Sequence, residues 1–241
     1  MKRIDRQHLK ENEFAHLAAS AREAIETHGR QVTSLALAAI IVVGGAIGYV
    51  AWRNRVQNRA GTMLAEAMAV QDARVGAPDV PGGPTTGPSY PTEREKLQAM
   101  LAKFKAVADG FPGTDAGTFA RYREAGAQLE LGNFKEAAAA FQAVVGAAGD
   151  GIYGQMARLG LAESQSRAGE YDKAIETFKD LSTRTDGPLP VDGVLLQLGR
   201  VYRDAGKVAD AEQTFNRIVQ EFPDSQFVSD ARRELDAMKK G

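Results

Sequence analysis

Every histidine in this chain, His8, His16 and His28, lies within the first 31 residues, and there is no cysteine anywhere. From residue 32 onward the chain therefore lacks the usual general base of neutral pH, every thiolate nucleophile and most zinc ligands. The carboxylates that might replace them, Glu93, Glu95, Asp224 and Asp230, sit where helix ends favour acidic residues. There is no G-x-x-x-x-G-K-S/T phosphate loop and no G-x-S-x-G elbow. A net charge of −1 with no dense Lys/Arg stripe points away from nucleic acid. The expectation is a non-enzymatic chain with no catalytic residue, cofactor or metal. Recognition is the chemistry that remains. Arg167, Arg200 and Arg203 offer planar, charged donors for carboxylates, and Phe119, Tyr122, Met156, Leu159 and Leu196 offer apolar surface beside Glu163. Together they suit an extended or helical peptide carrying some negative charge. Leu159 and Leu196 have a second reading, as side chains that only pack between helices.

What would bring these residues to one face is an internal repeat. Phe104, Phe141, Phe178 and Phe215 are 37 residues apart, and Gly132, Gly169 and Gly206 keep the same period, as do Ala137, Ala174 and Ala211. The local strings GNFKEAAAAF, GEYDKAIETF and GKVADAEQTF each follow a stretch with helical periodicity. This predicts helix–turn–helix units at about 118–151, 155–188 and 192–225. The glycine ends the first helix in a left-handed conformation, and Phe134, Tyr171 or Val208 then packs the turn. The small alanine lets the second helix approach the first, and the phenylalanine four residues on fills the gap to the next hairpin. Each unit leaves an apolar face that a neighbour must cover, so the units stack, and the first helix of each lines a concave surface. These arginines, Phe119, Tyr122 and Met156 fall on that surface by register.

These residues resemble the tetratricopeptide repeat, whose period is normally about 34. Ala125, Ala162 and Gly199 match its small first-helix position, Gly132, Gly169 and Gly206 its turn, Ala137, Ala174 and Ala211 its second-helix alanine, and Pro223 its closing proline. The chain departs in its longer period, in Val208 at the turn, and in lacking the proline in the first two units. The loops GAAGDG and TRTDGPLP account for the first and third departures. The resemblance covers residues 93–241 and implies an all-α solenoid of about three to four hairpins. Residues 93–110 read as the second helix of a degenerate first unit partnered with 58–74, and 228–240 as a capping helix.

Ahead of the repeats, residues 32–52 form an uncharged run, VTSLALAAIIVVGGAIGYVAW. As a helix it is roughly 30 Å long, the thickness of a bilayer's hydrocarbon. Tyr49, Trp52, Arg53 and Arg55 mark one end as a membrane interface. The run exceeds a signal-peptide core and no small-x-small cleavage site follows, so an uncleaved anchor is expected. Residues 1–31 form a tail in which Phe14, Leu17, Ala21 and Ile25 recur at helical spacing, either a solvated extension of the anchor or a docking helix. More positive charge precedes the anchor than follows it, which places the N-terminus in the cytoplasm, although Arg53, Arg55 and Arg59 oppose that assignment. Gly44 and Gly48 make a G-x-x-x-G pair that could bring two anchors together as a homodimer, or arise by chance in an Ala/Gly-rich run. Residues 53–92 then read as a juxtamembrane helix and a loop, because 76–91 hold five prolines and four glycines.

One anchor followed by such an array resembles the ancillary subunits of the bacterial Sec translocon. That resemblance implies an inner-membrane protein with a cytoplasmic N-terminus and periplasmic repeats, whose partners are the translocon and a periplasmic chaperone or secretory proteins. The rival reading is a structural scaffold for envelope assembly or cell division.

Overall fold

A computed structural model describes residues 4–76, 88–184 and 187–239, with side chains from residue 34 onward apart from 36. The chain divides into two compact units, Met1–Arg55 and Val56–Gly241. Helix α1 spans Ile4–Gln71. The side chains of Phe14, Leu17, Ala21, Ile25 and the three histidines fall outside the described set.

Within the first unit the apolar run finds no protein surface to pack on. Leu35, Ile40, Val43, Ile47 and Trp52 are all more than half exposed. A core helix would bury such side chains, each worth about 1.5–3 kcal/mol when removed from water. By length and composition Leu37–Gln71 holds the one helix among the described residues apolar enough to cross a membrane. The rings of Tyr49 and Trp52 lie 6.0 Å apart near the charged end of the run.

The second unit begins with the last turns of α1. Two short strands follow, β1 (Arg74–Val75) and β2 (Ser89–Tyr90), paired in parallel with Arg74 opposite Ser89. This corrects the expectation of a wholly irregular stretch: the rims of the Pro/Gly-rich segment are strands because Ser89 and Tyr90 lie between prolines rather than at them. Helix α2 (Glu93–Gly110) starts at Thr92, whose hydroxyl accepts the amide of Glu95 at 3.2 Å, with Glu93 and Glu95 in the first turn. Its Leu97, Met100, Phe104 and Val107 close on Ala67 and Val70 of α1. Residues 58–71 and α2 are thus partners, as the degenerate first unit requires.

Three hairpins follow: α3 (Asp115–Glu130) with α4 (Phe134–Ala148), α5 (Ile152–Arg167) with α6 (Tyr171–Ser182), and α7 (Val191–Asp204) with α8 (Val208–Glu221). Helix α9 (Val228–Met238) closes the array, and each helix from α2 onward packs on the next. The three turns are alike to the bond. Gly132, Gly169 and Gly206 have φ of 83°, 78° and 74°. Each glycine amide donates to the carbonyl three residues back, and the next amide to the carbonyl five back, as in Asn133 to Gln128 at 2.9 Å and Lys207 to Tyr202 at 2.8 Å. Only glycine reaches this left-handed conformation without strain, which is why the period is visible there. Ala137, Ala174, Ala211 and Phe215 are wholly buried, and Phe178 nearly so. Val208, expected to pack the third turn, is instead half exposed, because its branched side chain is too short to reach the apolar cluster that Tyr171 joins one unit earlier.

A charged joint fastens α2 to α3. Arg121 donates to Asp109 at 2.5 Å and to Glu124 at 2.7 Å, and Lys105 pairs with Asp109 at 3.1 Å. The Arg121 guanidinium, and then Lys105, hold the Asp109 carboxyl below its ordinary value of 3.8. A carboxyl lowered in the folded state adds stability above its unfolded pKa and loses it as pH falls through the folded one. Asp109 is half exposed, so the gain is about 0.5 kcal/mol. Asp109→Asn should therefore melt below the parent chain near pH 6, and the difference should close progressively as pH falls below 3.8 and through the lowered folded value, as thermal unfolding across pH will show.

Candidate functional site

Two neighbouring cavities run along the first helices of the hairpins. One, of about 260 Å3, lies between α3 and α5; Tyr122, Phe141, Met156 and Gly160 contribute its apolar wall, and Glu130 stands at its edge. The other, of about 270 Å3, lies between α5 and α7; Arg167, Arg200 and Arg203 stand over a floor that includes Phe178 and Val201. Leu159 and Glu163 line both, so the two form one groove. Its α3 end combines aromatic and aliphatic side chains with Arg123 and Glu130, and its α7 end gathers three arginines beside Glu163 and Asp204.

Local packing sets the apolar half. Phe141 lies over Gly160, where a Cβ would stand 2.4 Å from the ring, so only glycine lets α5 come this close. Tyr122 meets Phe141 edge-on with centroids 5.8 Å apart. Burial pushes the Tyr122 phenol above its ordinary value, so it enters recognition as a neutral hydroxyl. Phe119 and Tyr153 form a T-shaped pair at 5.7 Å, and Tyr153 also approaches Tyr122 at 6.3 Å.

The basic half is less open than the sequence implies. Arg200 Nε donates to Glu234 Oε1 at 2.9 Å, and Arg203 Nη1 donates to the other oxygen of the same carboxylate. Arg203 also holds Asp204, at 3.0 Å through Nε and 2.8 Å through Nη2. The Asp204 carboxylate, with Glu234 behind it, keeps the Arg203 guanidinium above its ordinary value. Only Arg167 has no carboxylate partner among the described residues, and its guanidinium lies 5.3 Å above the Phe134 ring. Helix α9, outside the repeats, thus supplies the partner of Arg200 and Arg203. Of the two readings of Leu196 the packing one holds, since it is buried in the core with Leu195 and Leu198. Phe119 stands beside the groove, joined to it through Tyr153, while Tyr122, Met156, Leu159, Glu163, Arg167, Arg200 and Arg203 line it.

Sequence reasoning missed Tyr153 and Glu234. Tyr153 has no aromatic counterpart one period away, since Ala116 and Pro190 stand there. Glu234 lies beyond the last repeat, where register says nothing. Among the described residues no group of histidines and carboxylates is arranged to hold a metal ion.

Stacked helix hairpins with glycine turns around a groove define a repeat protein of the tetratricopeptide class. The family model of the tetratricopeptide repeat-like domain matches residues 26–239, and the chain belongs to that family. Among solved structures, a tetratricopeptide repeat protein from Parabacteroides merdae is similar with a TM-score of 0.54 and 15% identity, over 75% of this chain and 60% of that one. A protein described as the putative kinesin light chain nearly identical TPR-like repeats of Podosopora anserina is similar with a TM-score of 0.57 and 13% identity, over 76% and 87%. This chain therefore spans about three fifths of the length of the first, and at these identities the likeness concerns the fold alone. No curated protein sequence matches the chain. The family's fold is that of a protein-interaction scaffold, typically without enzymatic activity.

Proposed function

We propose that this chain is a membrane-anchored adaptor of the bacterial inner membrane, in which residues 32–52 span the bilayer and residues 93–241 hold polypeptides. Residues 1–31 form a cytoplasmic tail, and 53–92 connect the anchor to a periplasmic repeat domain. The partners are polypeptides of the secretory route, namely the translocon, a periplasmic chaperone or exported proteins. The observation that carries the reading is a peptide-sized groove, with an aromatic cluster at one end and an arginine cluster at the other, in a chain whose α1 leaves a charge-free run exposed. Such a pairing restricts capture to segments that emerge close to the membrane, where tethering raises the effective concentration. Gly44 and Gly48, beside which a Cβ would meet nothing in the single chain, are the sites at which two anchors would pack.

The test uses the absence of native cysteine. A Met156→Cys chain carrying a thiol-linked photo-crosslinker, activated in membranes, should recover translocon components or secretory proteins. A Gln213→Cys chain should react with membrane-impermeant maleimide from the periplasmic side. Crosslinks confined to division or envelope-assembly proteins would favour the scaffold role instead, and labelling only from the cytoplasm would overturn the orientation.

A further inference from the structure

The carboxylate in the basic half of the groove belongs to the chain itself. Glu234 lies in α9, outside the hairpins, and its side chain is largely enclosed against α7. It satisfies Arg200 through Nε and Arg203 through Nη1, but both terminal nitrogens of Arg200 have no acceptor among the described residues. Arg167, on the same cavity, pairs with no carboxylate. Arg203 is filled by Asp204 on its remaining edge. The lining of this cavity carries three arginines and two carboxylates, Glu163 and Asp204, and Glu234 adds a third carboxylate by reaching Arg200 and Arg203 from outside the lining. Two of the three carboxylates are fixed on the groove helices themselves. The third is carried by the terminal helix, which packs on the core through the buried Ala231 and the partly buried Val228, Leu235 and Met238.

A guest carboxylate entering while Glu234 stays would leave the cavity with an excess of negative charge. A guest that replaces Glu234 restores the balance and gains the unused donors of Arg200 and the whole of Arg167. We propose that Glu234 is a built-in competitor: an acidic side chain of the bound polypeptide takes its place on Arg200 and Arg203, and the inner face of α9 is released as it does so. The proposal rests on the adaptor reading and sharpens it, since it names an acidic segment as the guest for the α7 end. It also makes α9 the element that sets the threshold for binding. Segments with an apolar part alone reach only the α3 end and leave the clasp shut.

The test is fluorescence anisotropy with the full chain in detergent micelles. The probe is a short fluorescein-labelled peptide alternating leucine and glutamate, with its leucine–glutamine counterpart as the neutral control. Glu234→Gln removes the competing charge and should tighten the acidic peptide by about five- to tenfold, the range expected for charge-assisted hydrogen bonds regained. Asp236→Asn, on the same helix and with the same change in net charge, should leave affinity unaltered. Arg200→Gln should weaken the acidic peptide by a similar factor and leave the neutral one alone. Far-UV circular dichroism identifies any variant that fails to fold. Should Glu234→Gln bind no tighter while Arg200→Gln binds worse, the groove takes acidic peptide but Glu234 does not compete, and the proposal is overturned. Absence of binding to every folded variant overturns it too. The adaptor reading is judged separately, by the Met156→Cys crosslinks at the other end of the groove.

Discussion

Phe215→Ala lowers the stability of the repeat region by about 3–5 kcal/mol, the largest loss expected of any single substitution here. Phe215 has no exposed surface and sits in one cluster with Phe178, Leu195 and Ile218. Its ring lies against Gly199, where the two preceding units carry Ala125 and Ala162; a Cβ at Gly199 would stand 2.4 Å from it. The third hairpin has therefore closed on the ring more tightly than the others, and truncation leaves a void that neighbours in helices cannot fill by moving one atom at a time. At 2–4 °C per kcal/mol for a chain of this size, the melting temperature should fall by roughly 6–20 °C. Because each hairpin contacts only its neighbours, the loss should concentrate in α7–α9. Hydrogen exchange should show those helices opening first while α2–α4 keep their protection. Uniform loss of protection along the array would contradict the stacked description of the core.

The second large effect concerns two glycines that repeat reasoning passes over. Gly117 and Gly154 are 37 residues apart, and each is the third residue of its helix, α3 or α5. A Cβ on Gly117 would lie 1.9 Å from the carbonyl oxygen of Phe111, and one on Gly154 at 1.9 Å from that of Gly149. Two effects of Gly154→Ala oppose each other. Alanine is the better helix former by about 1 kcal/mol. The collision, however, is with backbone, which cannot swing aside as the tip of a side chain would, and overpacking of this kind costs about 1–3 kcal/mol or more. We expect a net loss of about 2 kcal/mol, or roughly 4–8 °C in melting temperature. Gly126→Ala is the control, since a Cβ there meets nothing within 4 Å. It should stabilise by up to about 1 kcal/mol. If both substitutions stabilise alike, the close approach of each loop to the helix it starts is not a constraint on the fold.

The distinction between the two kinds of glycine shows where a sequence can be read. Gly132, Gly169 and Gly206 are legible because a left-handed φ is a local requirement, met by one residue type wherever the turn recurs. Gly160 answers to an aromatic ring from another helix and nothing local marks it, whereas Gly199, which also meets such a ring, is legible only as a small position in the repeat register. The same division runs through the groove. Tyr122, Met156, Glu163 and the arginines could be placed on one side by counting along helices, since direction on a helix follows from 3.6 residues per turn. That Leu196 turns into the core, and that Val208 stays outside it, depends on the tilt of one hairpin against the next, a few degrees that periodicity does not encode.

Composition and spacing alone determined that helix hairpins recur every 37 residues along this chain, and that one charge-free run is long enough to cross a bilayer. Those are properties of single helices and their turns, where the controlling interactions are local in the chain. Only the tertiary structure decided that the two halves of the groove share Leu159 and Glu163, and that Glu234 occupies the arginines of its basic end. A salt bridge between residues 34 apart forms because α9, packed on α8, brings Glu234 within reach of α7, and the strength of that packing is a sum over many side chains rather than a mark carried by any one of them.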